Sequence, residues 1–182
     1  DAAFLKAGSV LNAGLMTAPV YSGLVTLSAL PVVNAASGIF EGGTDANFGA
    51  GIQFGNAAGG FLNNYGIIRD GAAGAIIANG GTVTINLHAG STTGRITTGD
   101  GDDQITLFTG TGTGFAGVVD GATGIVLQNA GVNAAATVGA INLGNGANSV
   151  NLRGDGTGIA AEGGIGTLSL ADMVNVGTPN KS

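Results

Sequence analysis

The chain has 182 residues, 37 of them glycine, a formal net charge of −6 and only 9% charged side chains, long enough for one domain with a sizeable core. Sparse charge with high apolar content excludes an acidic disordered chain, and five basic residues are too few to hold a nucleic acid. The glycines follow no three-residue collagen period, and with no cysteine there is neither disulfide nor thiol chemistry.

Residues 1–36 open on an acidic residue with no basic stretch before an apolar core, so no signal peptide is expected. From Ala7 to Phe40 there is no charge, but Asn12, Thr17, Pro19, Ser22, Thr26, Ser28, Pro31 and Asn34 interrupt any membrane span, so no integral membrane protein is expected. VYSGLVTLSALPVV reads as a strand pair with prolines at its margins. The segment matches no later repeat and is expected to be an uncharged β cap or assembly surface.

From residue 37 to 176 the chain repeats itself. Units open near Gly38, Gly66, Gly94, Gly117 and Gly139, at spacings of 28, 28, 23 and 22 residues, with a ragged sixth near Gly164 and a tail at 177–182. YGIIRDGAAGAII (65–77) matches AGVVDGATGIVL (116–127) after one gap. TVTINL, QITLF, SVNL and GTLSL alternate with period two, and the intervening GG, GDGDD, GTGTG and GNGAN are turn sequences. Two or three short strands per unit, with a glycine-rich corner between them, describe one coil of a parallel β-helix. A single coil cannot bury its apolar face, whereas stacked coils form a continuous core. The predicted fold is all-β, a β-solenoid of about five to six coils, with Ile96 and Ile141 inward and Thr and Asn in outward polar ladders.

GRITTGDGDDQITL (94–107) and GAINLGNGANSVNL (139–152) are the clearest copies. They are expected to be equivalent corners two coils apart, with the coil from Gly117 between them. Thr98 to Thr106 fits the calcium nonapeptide pattern apart from Thr98 itself, and Asp100, Asp102 and Asp103 supply the hard oxygen ligands that calcium takes. Such sites need consecutive nonapeptides, and the second copy has Asn145, Ala147 and Asn148 instead, which favours a solvated acidic turn. No cofactor is required by this pattern.

An enzyme is not expected. Asp102, Asp103 and Arg95 form the one local constellation that a polysaccharide-acting β-helix could use, and they are brought close by sequence alone. His88 is the lone histidine, a corner residue after TVTINL, and Asp70 and Asp120 read as equivalent turn residues. GTGTGF and GDGTGI lack the lysine and βαβ context of a phosphate loop, and the threonines do not recur in every coil as an ice-binding array requires.

The stretch AGSTTGRITTGDGDDQITLFTGTGTGFAGVVDGATGIVLQNAG, and residues 37–176 generally, resemble the passenger regions of bacterial autotransporter adhesins. That resemblance implies a right-handed parallel β-helix displayed outside the cell, with host or cell-surface glycans as partners. The family's carboxy-terminal membrane barrel has no counterpart in GTPNKS, so a passenger fragment or a free-standing secreted relative is expected. With an uncharged head and no amphipathic capping helix, the expected role is a self-assembling homo-oligomer or filament of an extracellular fibre, biofilm matrix or coat. A monomeric adhesin stalk is the alternative.

Overall fold

Alternating short strands and glycine-rich corners do build a solenoid. The computed structural model describes residues 1–55, 59–88, 90–108, 115–120, 124–129, 137–139, 141–153 and 174–175. The first turn supplies β1 (Ala3–Leu5), β2 (Val10–Asn12) and β3 (Leu15–Thr17), and the second β4 (Leu24–Thr26), β5 (Pro31–Asn34) and β6 (Ile39–Glu41). The third is β7 (Ala50–Phe54), β8 (Gly60–Asn64) and β9 (Ile67–Arg69), and the fourth β10 (Gly74–Ala78), β11 (Val83–Leu87) and β12 (Thr92–Thr93). A fifth begins with β13 (Ile96–Thr97) and β14 (Gln104–Phe108). Then follow β15 (Phe115–Asp120), β16 (Gly124–Asn129), β17 (Thr137–Val138), β18 (Ile141–Asn142), β19 (Ser149–Arg153) and β20 (Val174–Asn175).

Successive turns lay their strands on three sheets. Sheet A runs β1-β4-β7-β10-β13-β18-β20, sheet B runs β2-β5-β8-β11-β14-β19, and sheet C runs β3-β6-β9-β12-β17-β16-β15. Pairing is parallel throughout except at β15–β16 and β16–β17. No helix occurs among the described residues.

Parallel stacking in register places equivalent side chains directly over one another. In sheet A the inward column is Leu24, Ile52, Ile76, Ile96 and Ile141. In sheet B it is Val10, Val32, Leu62, Ile85 and Ile105, with Val150 packed against the same core. Sheet C adds Phe40, Ile68 and Val138. Ile96 and Ile141 are 0% and 2% exposed, inward as the alternation predicts.

β7 and β10 are buried at all five positions, on the outer face of the sheet as well as the inner. Strands buried on both faces read as continuous apolar runs, and GAIIA is one.

Polar ladders also form, on both sides of the wall. Outside, the Asn86 amide donates to Asn63 Oδ1 at 3.1 Å, as expected. A second ladder runs inside. Asn12 Nδ2 donates to Asn34 Oδ1 (3.0 Å), Asn34 Nδ2 to Asn64 Oδ1 (2.8 Å), and Asn64 Nδ2 to Thr93 Oγ1 (2.8 Å). An amide carries both donor and acceptor, so a column of them satisfies itself in the interior, where an unpaired polar group is costly. In the next two turns Leu87 and Leu107 take the asparagine position, and the column becomes apolar.

The pairing departs from the expected order in two places. Residues 1–36, expected to be a cap or assembly segment apart from the coils, supply β1 to β5, which join the same three sheets in the same register. Their repeat escapes sequence comparison because the corners differ, while the inward residues are conservative (Val10, Val32 and Leu62). The unit expected to open at Gly117 is an antiparallel hairpin, β15 and β16, appended to sheet C beside β17. β13 therefore pairs directly with β18, and β14 with β19, so the two similar stretches lie in adjacent turns. The unit near Gly164 and the tail 177–182 lie outside the described residues.

Ile96 sits between Ile76 and Ile141, so Ile96→Asp should abolish folding, at a cost of several kcal/mol for an unpaired carboxylate in the core. Ile141→Asp should do the same, read as loss of the cooperative thermal transition. The Thr97→Asp control, at the exposed neighbouring position, should still fold.

Candidate functional site

The acidic corner is built from two adjacent turns. Leading into β14 and β19, residues 98–103 and 143–148 lie one over the other, each bonded to its own equivalent. Asn145 Nδ2 donates to Asp100 Oδ1 (3.0 Å), and the Ala147 amide N–H donates to Asp102 Oδ1 (2.8 Å). The Asp103 N–H donates to Asn148 Oδ1 (2.8 Å), while Asp103 Oδ1 accepts the Val83 N–H from the preceding turn (2.8 Å). Asp103 and Asn148 thus do the same job, each reaching back to cap the N–H one turn earlier.

Backbone contact explains the repeated glycines. A Cβ on Gly144 would lie 2.3 Å from the Gly99 carbonyl oxygen, and one on Gly146 would lie 2.2 Å from that of Gly101. Both residues also have positive φ, +64° and +122°. Any side chain there would pry the turns apart.

The three carboxylates therefore serve as fasteners between turns, each aimed at a different partner. Among the described residues, no group of three or more His, Asp or Glu side chains is arranged to hold a metal ion. The exchange of Asp100 and Asp103 for Asn145 and Asn148 has a direct physical cause. Carboxylates stacked at hydrogen-bond distance would repel, whereas an asparagine can donate to, or accept beside, the aspartate below it.

Asp103 differs from the others in being fully buried, with Oδ2 lacking a hydrogen-bond partner. Burial pushes its carboxyl up from the ordinary aspartate value. The nearby Thr98 hydroxyl and the Val83 N–H oppose that rise, and the Asp102 charge adds to it. The Thr98 hydroxyl is itself buried without a hydrogen-bond partner.

Arg95 does not complete a catalytic group with Asp102 and Asp103. Its guanidinium lies 3.5 Å from Asp70 and also donates to the Gly71 and Ala72 carbonyls, while its N–H donates to Asp70 Oδ1 at 2.8 Å. Arg95 thus fastens the corner between β9 and β10, with Asp70 as its anchor. One turn away on the outside of sheet C, Arg69 pairs with Glu41 at 3.0 Å. Asp120 ends β15 in the hairpin, so it is not the equivalent of Asp70.

His88 lies in an aromatic column on the outer surface, a feature sequence reading missed. Its ring stacks on Tyr65 (centroids 3.9 Å apart, 11° between planes) and on Phe108 (4.6 Å, 6°). Register makes the stack, since each ring follows the last inward residue of its sheet B strand (Asn64, Leu87 and Leu107). The signal in the sequence was the recurrence of a flat ring at 65, 88 and 108, one per turn.

A groove of about 320 Å³ opens on the outer face of sheet A. Val25 and Gln53 form its floor, and Phe4, Tyr21 and Phe48 form its walls. Sequence reading gave no hint of it, because its residues come from three turns. Comparison with protein-family models, curated proteins and solved structures finds no match. Among the described residues, no helix is long and apolar enough to cross a membrane.

Two expectations follow for the corner. Asp103→Asn keeps an acceptor for the Val83 N–H and removes a buried charge. A raised carboxyl pKa makes the folded state hold its proton more tightly. The stability contributed by that proton is complete below the ordinary aspartate range and is lost as pH rises through the raised value. Thermal melts should accordingly show Asp103→Asn gaining on the parent as pH rises through the carboxylate range. In the second test, Asn145→Asp sets a carboxylate against Asp100 and should lower the melting temperature slightly, with the loss fading at high salt.

Proposed function

We propose that this chain is a structural β-solenoid whose copies associate, as a subunit of an extracellular fibre, matrix or coat of the autotransporter-passenger type. The observation that supports this reading is a gradient of polarity along the outer surface. The three strands of the first turn each expose a large apolar side chain: Phe4 (53%), Leu11 (72%) and Leu15 (63%). Farther along, the same outward columns turn polar. In sheet B the column runs Leu11, Val33, Asn63, Asn86, Thr106, Asn151, and in sheet C it runs Leu15, Ile39, Ile67, Thr92.

Among the described residues, all the exposed large apolar side chains lie between positions 4 and 65. Scattered exposed leucines need no explanation, but their concentration in the first three of the described turns does. Association there would remove apolar area from water at roughly 25 cal/mol per Å². A chain with 9% charged residues also offers little repulsion against close packing of copies.

Sedimentation velocity and electron microscopy of the purified chain should show large particles or filaments. Leu11→Lys combined with Leu15→Lys should convert them to elongated monomers with an unchanged melting temperature, since both side chains point away from the core. An intact chain that remains monomeric at high concentration overturns assembly and leaves the adhesin-stalk reading.

A further inference from the structure

The groove on sheet A is more than an apolar patch, because a buried polar group forms part of its floor. Gln53 is only 6% exposed, yet its side chain lines the groove. The Ser22 hydroxyl is shared between the Phe48 carbonyl and the Gln53 amide oxygen, the latter at 3.3 Å. The Gln53 amide nitrogen has no hydrogen-bond partner among the described residues. Asp1 stands at the rim, with one carboxylate oxygen accepting the Ser22 N–H (3.2 Å).

The walls are preformed. Asp45 Oδ1 accepts the N–H groups of Asn47 and Phe48, both at 2.9 Å, and the Asp45 carbonyl accepts the Gly49 N–H at 2.8 Å. These bonds fix the loop that presents the Phe48 ring. The Gly43 N–H donates to the Tyr21 carbonyl at 2.8 Å, which ties the opposite wall to the same loop.

We propose that this groove binds one neutral pyranose unit of a saccharide. Three features select that chemistry. The aromatic walls suit a ligand with apolar C–H faces, and the space is at the small end of ligand pockets. The floor amide asks for an acceptor oxygen. The rim carboxylate asks for a hydroxyl donor and, with a chain net charge of −6, disfavours anions. A hydroxylated ring with an apolar face meets all three demands at once. The groove is formed by residues of one chain, and its walls Phe4, Tyr21 and Phe48 belong to the same exposed apolar set on which association between copies would draw.

The test is a nuclear magnetic resonance titration of the monomeric Leu11→Lys/Leu15→Lys chain, or of the parent if it is monomeric. The probes are methyl glycosides of glucose, galactose, mannose and N-acetylglucosamine. At least one should shift the Gln53 side-chain amide and the Tyr21 ring saturably, with Kd on the order of 1 mM. Tyr21→Ala, at an exposed position, and Gln53→Met should each weaken that binding about tenfold, and glucuronate should bind more weakly than glucose. No saturable shift with any glycoside overturns the proposal. Equal binding of cyclohexanol would mean a merely apolar site, and binding unchanged in both variants would place it elsewhere. Shifts of the same signals on dilution without sugar would assign the groove to a second copy of the chain.

Discussion

The described solenoid depends on one constraint: along its parallel sheets, each strand residue rests on its own equivalent in the next turn. A side chain is therefore constrained by the one it meets in the neighbouring turn. Aliphatic groups do so by dispersion and exclusion of water, which accounts for the isoleucine column of sheet A. Amides do so by passing a hydrogen bond along, as Asn12, Asn34 and Asn64 show. Flat rings do so by stacking, as at Tyr65, His88 and Phe108. Carboxylates cannot, and the acidic corner alternates Asp with Asn.

The same constraint governs the backbone. Where two corners touch main chain to main chain, no Cβ fits, so glycine recurs at 99 and 144 and at 101 and 146. Among the described residues, charged side chains also bridge unlike partners in neighbouring turns, as Glu41 does with Arg69 and Asp70 with Arg95. Such exposed pairs contribute little energy, but they help hold one corner against the next. Low charge content is thus a consequence of stacking.

Function, in this reading, is written on the outer wall. The interior is fully engaged in holding turns together, and the acidic corner shares that task. The outside is free to vary, and it does: apolar over the first turns, threonine and asparagine farther along. The sheet A groove interrupts that pattern by covering Val25 and Gln53 with the loop that carries Phe48.

Period-two alternation and glycine-rich corners were sufficient, from sequence alone, for the all-β solenoid and the inward placement of Ile96 and Ile141. These depend on local pattern, because a strand with one apolar face has few ways to bury it. The equivalence of 94–107 with 139–152 was legible for the same reason. Their adjacency was not, since a spacing of 45 residues fits two short turns as well as one turn with an excursion. Only pairing of β13 with β18 decides between them. Likewise, Asp-Gly-Ala occurs at 70–72 and 120–122, yet the first is a corner between sheets while the second follows a hairpin strand. At the first, Arg95 from the next turn holds Asp70. The inward asparagines and the groove escaped for a related reason. An asparagine reads as outward until a second one, 22 or 30 residues away, is seen to meet it. Local chemistry determines which segments are strands, while contact between turns determines what each strand lies against.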